Sequence, residues 1–456
     1  MVKGAPEKVL SLCYADAASK EAWLRSADKH ASRGMRVLAL AFRVVPADFV
    51  FAGHLSSAAD VSPSERCRMA CLVGIMDPPR PEAIVAVARA QTAGITVKMI
   101  TGDHPVTAMA IGRMLGLRTD RGQEAITGAD LDRIMAQSMA TFDVTILRND
   151  LFARTTPEHK LRIVESLRRQ GLVCSMTGDG VNDAPALKAA NIGVAMGITG
   201  TEVAKDAADM IITDDNFATI VDAIRVGRCV YDNLIKIIAF VLPSNGGQAF
   251  SIVGALVIGV AVPITALQIL WVNMITSVTL GIVLAFDRPD EHALEAAPRR
   301  ANKSIFGRLL TWRLVSVTVL LVLVVLGVFQ WEKHRHSSLN YLRTVCVNAL
   351  SVAQVAYIFN CRNIRLNLTA REIFCAGPIV YLGVLAVAVF QVLFTYSPGF
   401  QYVFETEGLD GESWGKIILL AVCVFLAVEC DKYVAHRVRA YRHPPRPADE
   451  KSSAVV

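Results

Sequence analysis

The sequence predicts an α/β doubly wound parallel sheet followed by a six-helix α-helical transmembrane domain, and two patterns carry that reading. Up to about residue 228, short apolar runs alternate with amphipathic stretches, as they do where strands alternate with helices. After that come long apolar runs with charges only between them. Several approach the roughly 20 residues that a helix needs to cross a bilayer. The 456 residues are 53% hydrophobic, too apolar for an ordinary water-soluble chain of this length.

Taken in order, residues 1–70 read as the remnant of a larger domain, with "RGMRVLALAFRVV" (33–45) as a strand after a Gly turn. Residues 71–228 form the α/β domain. "VKMI" (97–100) predicts a buried strand that ends in Thr101-Gly102-Asp103, with a helix from Pro105. A second strand falls near 151–153. Thr156 then caps a helix that has Pro157 in its first turn and Glu158 just after. "LVCSM" (172–176), "IGVAM" (192–196) and "MIIT" (210–213) predict three more strands. Active sites of such sheets lie at the carboxyl ends of the strands, where the loops 101–103 and 177–183 fall.

Residues 229–442 carry six apolar segments, near 234–260, 264–286, 313–331, 344–360, 376–395 and 415–431. The connections after the second and fourth are basic (Arg288, Arg299, Arg300, Lys303, Arg308; then Arg362, Arg365, Arg371). So is the stretch from Lys432 to Arg442. The connection before the last segment carries Glu405, Glu407, Asp410 and Glu412 with no Lys or Arg. The excess of positive charge puts the first domain, the basic loops and both termini in the cytoplasm. Lys333, Arg335 and Arg343 run slightly against that pattern. Residues 443–456 read as a disordered cytoplasmic tail.

The net charge is +6, and its basic residues form no stripe with interleaved aromatics, which argues against nucleic acid. The ten cysteines show no metal-ligand spacing; Cys174 and Cys423, inside apolar runs, are expected as buried thiols. Residues 1–25 contain no secretory apolar region.

The chemistry concentrates in "TGDGVNDAPALKAANIGVAMG" (177–197). Two carboxylates beside glycine amides suit Mg²⁺ and a phosphoryl group, because Mg²⁺ takes a few hard oxygens and keeps its waters. Asp179 and Asp183 are the expected metal ligands, with Asn182 orienting the phosphoryl group. Thr101 and the Gly102 amide can donate to its oxygens, and Lys160 can neutralise charge that develops in transfer. Taken alone, Thr-Gly-Asp also describes an ordinary strand-ending turn, and Lys160 a solvated lysine at a helix start.

The long motif resembles the hinge signature of P-type cation-transporting ATPases of the calcium/sodium-type branch. The same family carries "KGAPE" (Lys3–Glu7), "DPPR" (Asp77–Arg80), "TGD" (Thr101–Asp103), the Pro157–Lys160 helix start, and "LQILWVNMIT" (267–276), in this order. The resemblance implies a haloacid-dehalogenase-like phosphorylation domain, Mg²⁺ and ATP as cofactors, a transported cation, and a site in the plasma membrane. It makes residues 1–70 the remnant of a nucleotide-binding domain. Lys3 and Gly4 would line the adenine pocket, Arg36 and Arg154 would lie near the nucleotide phosphates, and Asp103 near the ribose or the metal.

The family's reaction passes through an aspartyl phosphate on Asp-Lys-Thr-Gly-Thr. The 456 residues contain no Asp-Lys-Thr-Gly, and no Thr-Gly-Glu-Ser actuator loop. Without the nucleophile no covalent intermediate forms, so the expectation is a C-terminal portion that works with an upstream fragment. The alternative is a non-catalytic membrane remnant. A free-standing phosphatase would need an Asp-x-Asp nucleophile, which 48–62 does not offer. In the membrane part, the resemblance aligns Gln248, Ser277 and Gln354 with three acids of calcium pumps and keeps Asn273 and Thr276. Neutral side chains at those positions leave sodium, potassium, calcium, manganese and protons open. Gln248 and Gln354 also fit as hydrogen-bonding glue between helices.

Overall fold

Residues 1–45, 67–76, 78–117, 125–287, 294, 298–299, 304–335, 338–364, 367–369 and 377–442 are described by a computed structural model. Asp77, the 48–62 stretch, Arg288, Arg300, Lys303, Arg365, Arg371 and the expected disordered tail 443–456 lie outside the described residues. The chain divides into two units: Met1–Arg225 with Glu291–Asn302, and Val226–Asp290 with Lys303–Val456.

The first unit begins with an antiparallel sheet. Strand β1 (Val2–Gly4) is followed by helices α1 (Pro6–Ser11) and α2 (Ala17–Ala31), then by β2 (Met35–Phe42) and β3 (Arg68–Met76). Asp16 caps α2 by accepting the Ser19 N–H at 3.3 Å. In β2 the alternation buries Ala39 and Ala41 against Val9, Cys13 and Cys67. The order is β1-β2-β3, in register Val2↔Ala41 and Met35↔Met76. The boundary drawn at residue 70 falls within β3.

Next come α3 (Pro81–Thr92), β4 (Met99–Ile100), α4 (Pro105–Met114), β5 (Ile126–Thr127), α5 (Gly128–Gln137), α6 (Met139–Arg148) and β6 (Leu151–Ala153). They are followed by α7 (Pro157–Arg169), β7 (Ser175–Gly178), α8 (Ala184–Ala189), β8 (Ile192–Met196), α9 (Glu202–Ala207) and β9 (Met210–Ile212). All their strand pairings are parallel, in two three-stranded sheets ordered β4-β6-β5 and β7-β8-β9. Parallel strands with helical crossovers are the α/β architecture that the alternating pattern predicts.

Strand β7 starts later than the expected 172. The chain leaves α7 through Gly171, whose φ is +76°, and the Leu172 N–H returns to Leu167 O at 3.1 Å. That C-terminal turn holds Leu172 and Val173 in the open, so pairing begins at Ser175. Cys174 is consequently half-buried rather than buried.

The second unit is helical. Helix α10 (Phe217–Ile258) leaves the first unit and continues through the second without a break, so the boundary at 228 falls inside it. It is followed by α11 (Ala266–Val272), one π-helical turn (Asn273–Val278) and α12 (Thr279–Ala285). Then come α13 (Arg308–Lys333), α14 (Leu339–Arg362), α15 (Pro378–Tyr396), the short α16 (Pro398–Phe404) and α17 (Gly411–Arg442). Five helical spans among the described residues are long and apolar enough to cross a membrane. The sixth apolar segment, 415–431, lies inside α17. Cys423, expected as buried, is exposed on α17. An apolar run in a membrane helix faces lipid as readily as protein, so it does not by itself mean burial.

Pro243 interrupts the hydrogen bonding of α10. It has no N–H to donate to Ala239 O, four residues back. The Tyr357 hydroxyl of α14 fills the gap, donating to Ala239 O at 2.8 Å. On the same helix, a Cβ at Gly247 would come within 2.8 Å of the Leu321 side chain on α13, so glycine there sets how closely α10 and α13 approach.

Candidate functional site

Three loop ends carry the expected chemistry, and backbone hydrogen bonds join two of them. Thr101 follows β4, and its N–H donates to Phe152 O of β6 at 2.9 Å. The loop after β6 answers: Thr155 N–H donates to Thr101 O at 3.1 Å and Arg154 N–H to Asp103 O at 3.1 Å. The Thr101 hydroxyl donates to Asp103 Oδ2 at 2.9 Å and accepts the Asp103 N–H at 3.1 Å. Gly102 is exposed. Arg154, expected near a nucleotide, is exposed with φ +49°.

Thr156 opens α7, and its first turn holds Lys160 in place. The Thr156 N–H donates to His159 Nδ1 at 3.0 Å, so His159 carries its proton on Nε2 and donates to Asp132 Oδ1 at 2.8 Å. One residue on, Lys160 Nζ donates to Asp183 Oδ1 at 2.5 Å. This joins α7 to the loop after β7. Asp183 is only 6% exposed, so the pair is largely shielded from water.

The glycine before the loop has a steric reason. A Cβ at Gly178 would stand 2.5 Å from Asp183 Cβ and 2.9 Å from its Cγ. Only a residue without a side chain lets the loop fold back on its second aspartate. Asp183 Oδ2 accepts only a long 3.4 Å bond from Gly180 N–H. Asp179 and Asn182 are exposed. The donor set is thus one buried carboxylate with capacity left, one exposed carboxylate and open access for water. That fits a hard divalent cation held by few protein oxygens. Among the described residues no group of three or more His, Cys, Asp or Glu side chains forms a metal cluster.

Strand β8 ends in a turn that sequence reasoning missed. The N–H groups of Gly197, Ile198 and Thr199 all donate to the Asp215 carboxylate, at 2.7–3.0 Å, and the Thr199 hydroxyl adds a bond at 2.8 Å. These donors hold the Asp215 carboxyl down at about 2, the Ile198 amide foremost. The signal was local: Asp215 lies in "TDDN" (213–216), where Asp and Asn are turn formers.

Lys3 is exposed on β1, with Gly4 at its end; Arg36 lies on β2. These residues lie in the β1-β2-β3 sheet, whereas the Lys160–Asp183 pair joins α7 to the loop after β7.

In the second unit, Gln248 Nε2 donates to Asn273 Oδ1 at 2.9 Å, and Ser277 Oγ reaches the same oxygen at 3.5 Å. Thr276 Oγ1 turns back to Val272 O at 2.8 Å. Asn273, Thr276 and Ser277 all sit on the π-helical turn, a distortion that commonly marks functional positions. Gln354 stands apart. It is fully buried, and neither end of its amide meets a hydrogen-bond partner among the described residues.

A family model for the C-terminus of cation-transporting ATPases matches residues 261–434. Two models for haloacid dehalogenase-like hydrolases match residues 20–191 and 163–224. Among curated proteins, a probable cation-transporting ATPase F of Mycobacterium tuberculosis is 39% identical over 98% of this chain and 49% of its own length. A cation-transporting ATPase of Synechocystis is 37% identical over 85% of this chain and 42% of its own length. A calcium-transporting ATPase of Bacillus subtilis is 34% identical over 93% and 48%. The chain thus spans about half the length of these relatives.

Proposed function

Because the chain belongs to the P-type cation-transporting ATPases, we propose that its first unit supplies the Mg²⁺ and phosphoryl pocket of an ATP-driven cation pump. The second unit, an integral membrane bundle, supplies part of the ion path. The observation that carries this reading is the 2.5 Å contact between Lys160 Nζ and the buried Asp183 at the carboxyl edge of β7.

In this reading Asp179 and Asp183 hold Mg²⁺, which when bound supplies positive charge against the phosphoryl oxygens. Lys160 keeps the Asp183 carboxylate oriented and adds a second positive charge beside the transferring group. The Gly102 amide, exposed after β4, and the Thr101 hydroxyl donate to phosphoryl oxygens; Thr101 first gives up its bond to Asp103. Asn182 orients the group. Lys3 and Gly4 contact the adenine of ATP, Arg36 and Arg154 its phosphates, and Asp103 the ribose or the metal. The nucleophilic aspartate comes from polypeptide outside these 456 residues. Gln248, Asn273, Thr276, Ser277 and Gln354 line the cation's path. Both termini face the cytoplasm, and the membrane is the plasma membrane.

Mn²⁺ in place of Mg²⁺, followed by electron paramagnetic resonance on the purified chain, tests the metal role. Asp183→Asn and Asp179→Asn should each weaken Mn²⁺ binding about tenfold or more, the loss of one charged ligand. Equal binding by the parent and both variants would remove the site.

A further inference from the structure

Two thiols beside the antiparallel sheet play no part in the proposed pump chemistry. Cys13, just beyond α1, and Cys67, the residue before β3, are the two members of an isolated parallel β-bridge. Cys67 is tied on both sides: its N–H donates to Leu12 O at 3.2 Å, and its carbonyl accepts the Tyr14 N–H at 2.9 Å. Strands paired in this way lie about 4.8 Å apart, inside the roughly 4.4–6.8 Å Cα span of a disulfide. Both side chains belong to one core cluster with Val9, Ala39 and Ala41. Cys13 is fully buried and Cys67 is 5% exposed, and both thiols are free. Burial, then the neighbouring Cys67, pushes the Cys13 thiol above its ordinary range.

We propose that Cys13 and Cys67 form a redox-modification site, closing an intramolecular disulfide at the expense of a small disulfide such as oxidised glutathione. Cys67, the less buried of the two, loses its proton and attacks one sulfur of the oxidant. A Cys67–glutathione bond forms, the oxidant's own S–S bond breaks, and the first glutathione leaves as a thiolate that takes up a proton. Cys13, deprotonated in turn, attacks the Cys67 sulfur. The protein disulfide forms and the second glutathione leaves and is protonated. Each cysteine sulfur gives up one electron and each oxidant sulfur gains one. Burial slows both steps, and the same burial shields the product from reduction. The bond fastens the end of α1 to the start of β3.

The test uses the whole chain, purified in detergent and fully reduced. It is incubated with oxidised glutathione near about pH 8, where thiolate is appreciable, then quenched in acid, alkylated and mapped by mass spectrometry without reduction. Cys71, exposed on β3, reports that the oxidant is active. The expected result is a Cys13–Cys67 cross-link in most chains. It disappears in Cys13→Ala and in Cys67→Ser, while Cys71 carries glutathione in all three proteins. A cross-link to Cys71 instead, or glutathione left on Cys67 without closure to Cys13, would overturn the proposal. So would two unmodified thiols beside a glutathionylated Cys71. The mapping of the parent chain decides even if a variant folds poorly.

Discussion

Truncating Lys160 strands the Asp183 carboxylate in a site with little water. Removing one partner of a buried ion pair costs several kcal/mol at full burial. Lys160 keeps 20% of its side chain exposed, so water can return and the expected cost of Lys160→Ala is about 1–3 kcal/mol. Faster hydrogen exchange at residues 175–183 would register it; unchanged exchange would mean the contact is dispensable. Gly178→Ala attacks the same site from the other side. Its new Cβ meets Asp183 at 2.5 Å, so the aspartate must move, and the variant should bind Mn²⁺ as weakly as Asp183→Asn does. Asp215 supplies a pH dependence. Its folded value, about 2, lies below the unfolded carboxylate range of about 4. The stabilisation it gives is therefore complete above about pH 4 and is lost as the pH falls through about 2. In Asp215→Asn, the Ile198 and Thr199 amides should exchange faster at neutral pH, and the difference from the parent should vanish in strong acid. The places of Thr101 and of the Asp179/Asp183 loop were readable beforehand, because each follows an apolar run and those runs became β4 and β7. Lys160 was readable as a residue in the first turn of a helix capped by Thr156. The steric reason for Gly178 and the bonding of Asp215 were not readable, because each depends on a backbone turn that only the folded chain defines.

Helix α10 and helix α14 share one hydrogen bond that the sequence hides. Pro243 frees the carbonyl of Ala239, and the Tyr357 hydroxyl satisfies it from another helix. Tyr357→Phe should destabilise the bundle by about 1–2 kcal/mol by leaving that carbonyl unsatisfied. Pro243→Ala restores an N–H within α10, so Tyr357→Phe should cost much less in that background. Thermal unfolding in detergent of the four proteins of the cycle checks it; equal costs in both backgrounds would refute the pairing. The length of α10 was half-legible. Its apolar run marked 234–260, but the helix begins at Phe217, because Phe217 and Val221 in its first turns join the first unit's core. Strands β6 and β8 fall on the expected residues, being apolar runs bounded by turn formers. Strand β5, only Ile126–Thr127, is too short to show any periodicity.

At the scale of the molecule, a unit with one antiparallel and two parallel sheets precedes a membrane bundle, and both match relatives roughly twice as long. The change from alternating short runs to long apolar runs made that order legible. The proposed ion path does not single out a cation, since neutral amides and hydroxyls at Gln248, Asn273, Thr276 and Ser277 suit several ions. Transport across a cation series by the complete pump should respond to Asn273→Ala more than to a lipid-facing change such as Leu270→Ala. The account as a whole rests on this chain holding Mg²⁺ and phosphate for an aspartate located elsewhere. Radiolabelled ATP tests that most directly. The 456-residue chain alone should form no acid-stable phosphoenzyme. Reconstituted with a polypeptide carrying Asp-Lys-Thr-Gly-Thr, it should support labelling of that partner, and Asp179→Asn should abolish the label. Label on this chain itself, or label unchanged in Asp179→Asn, would contradict the account.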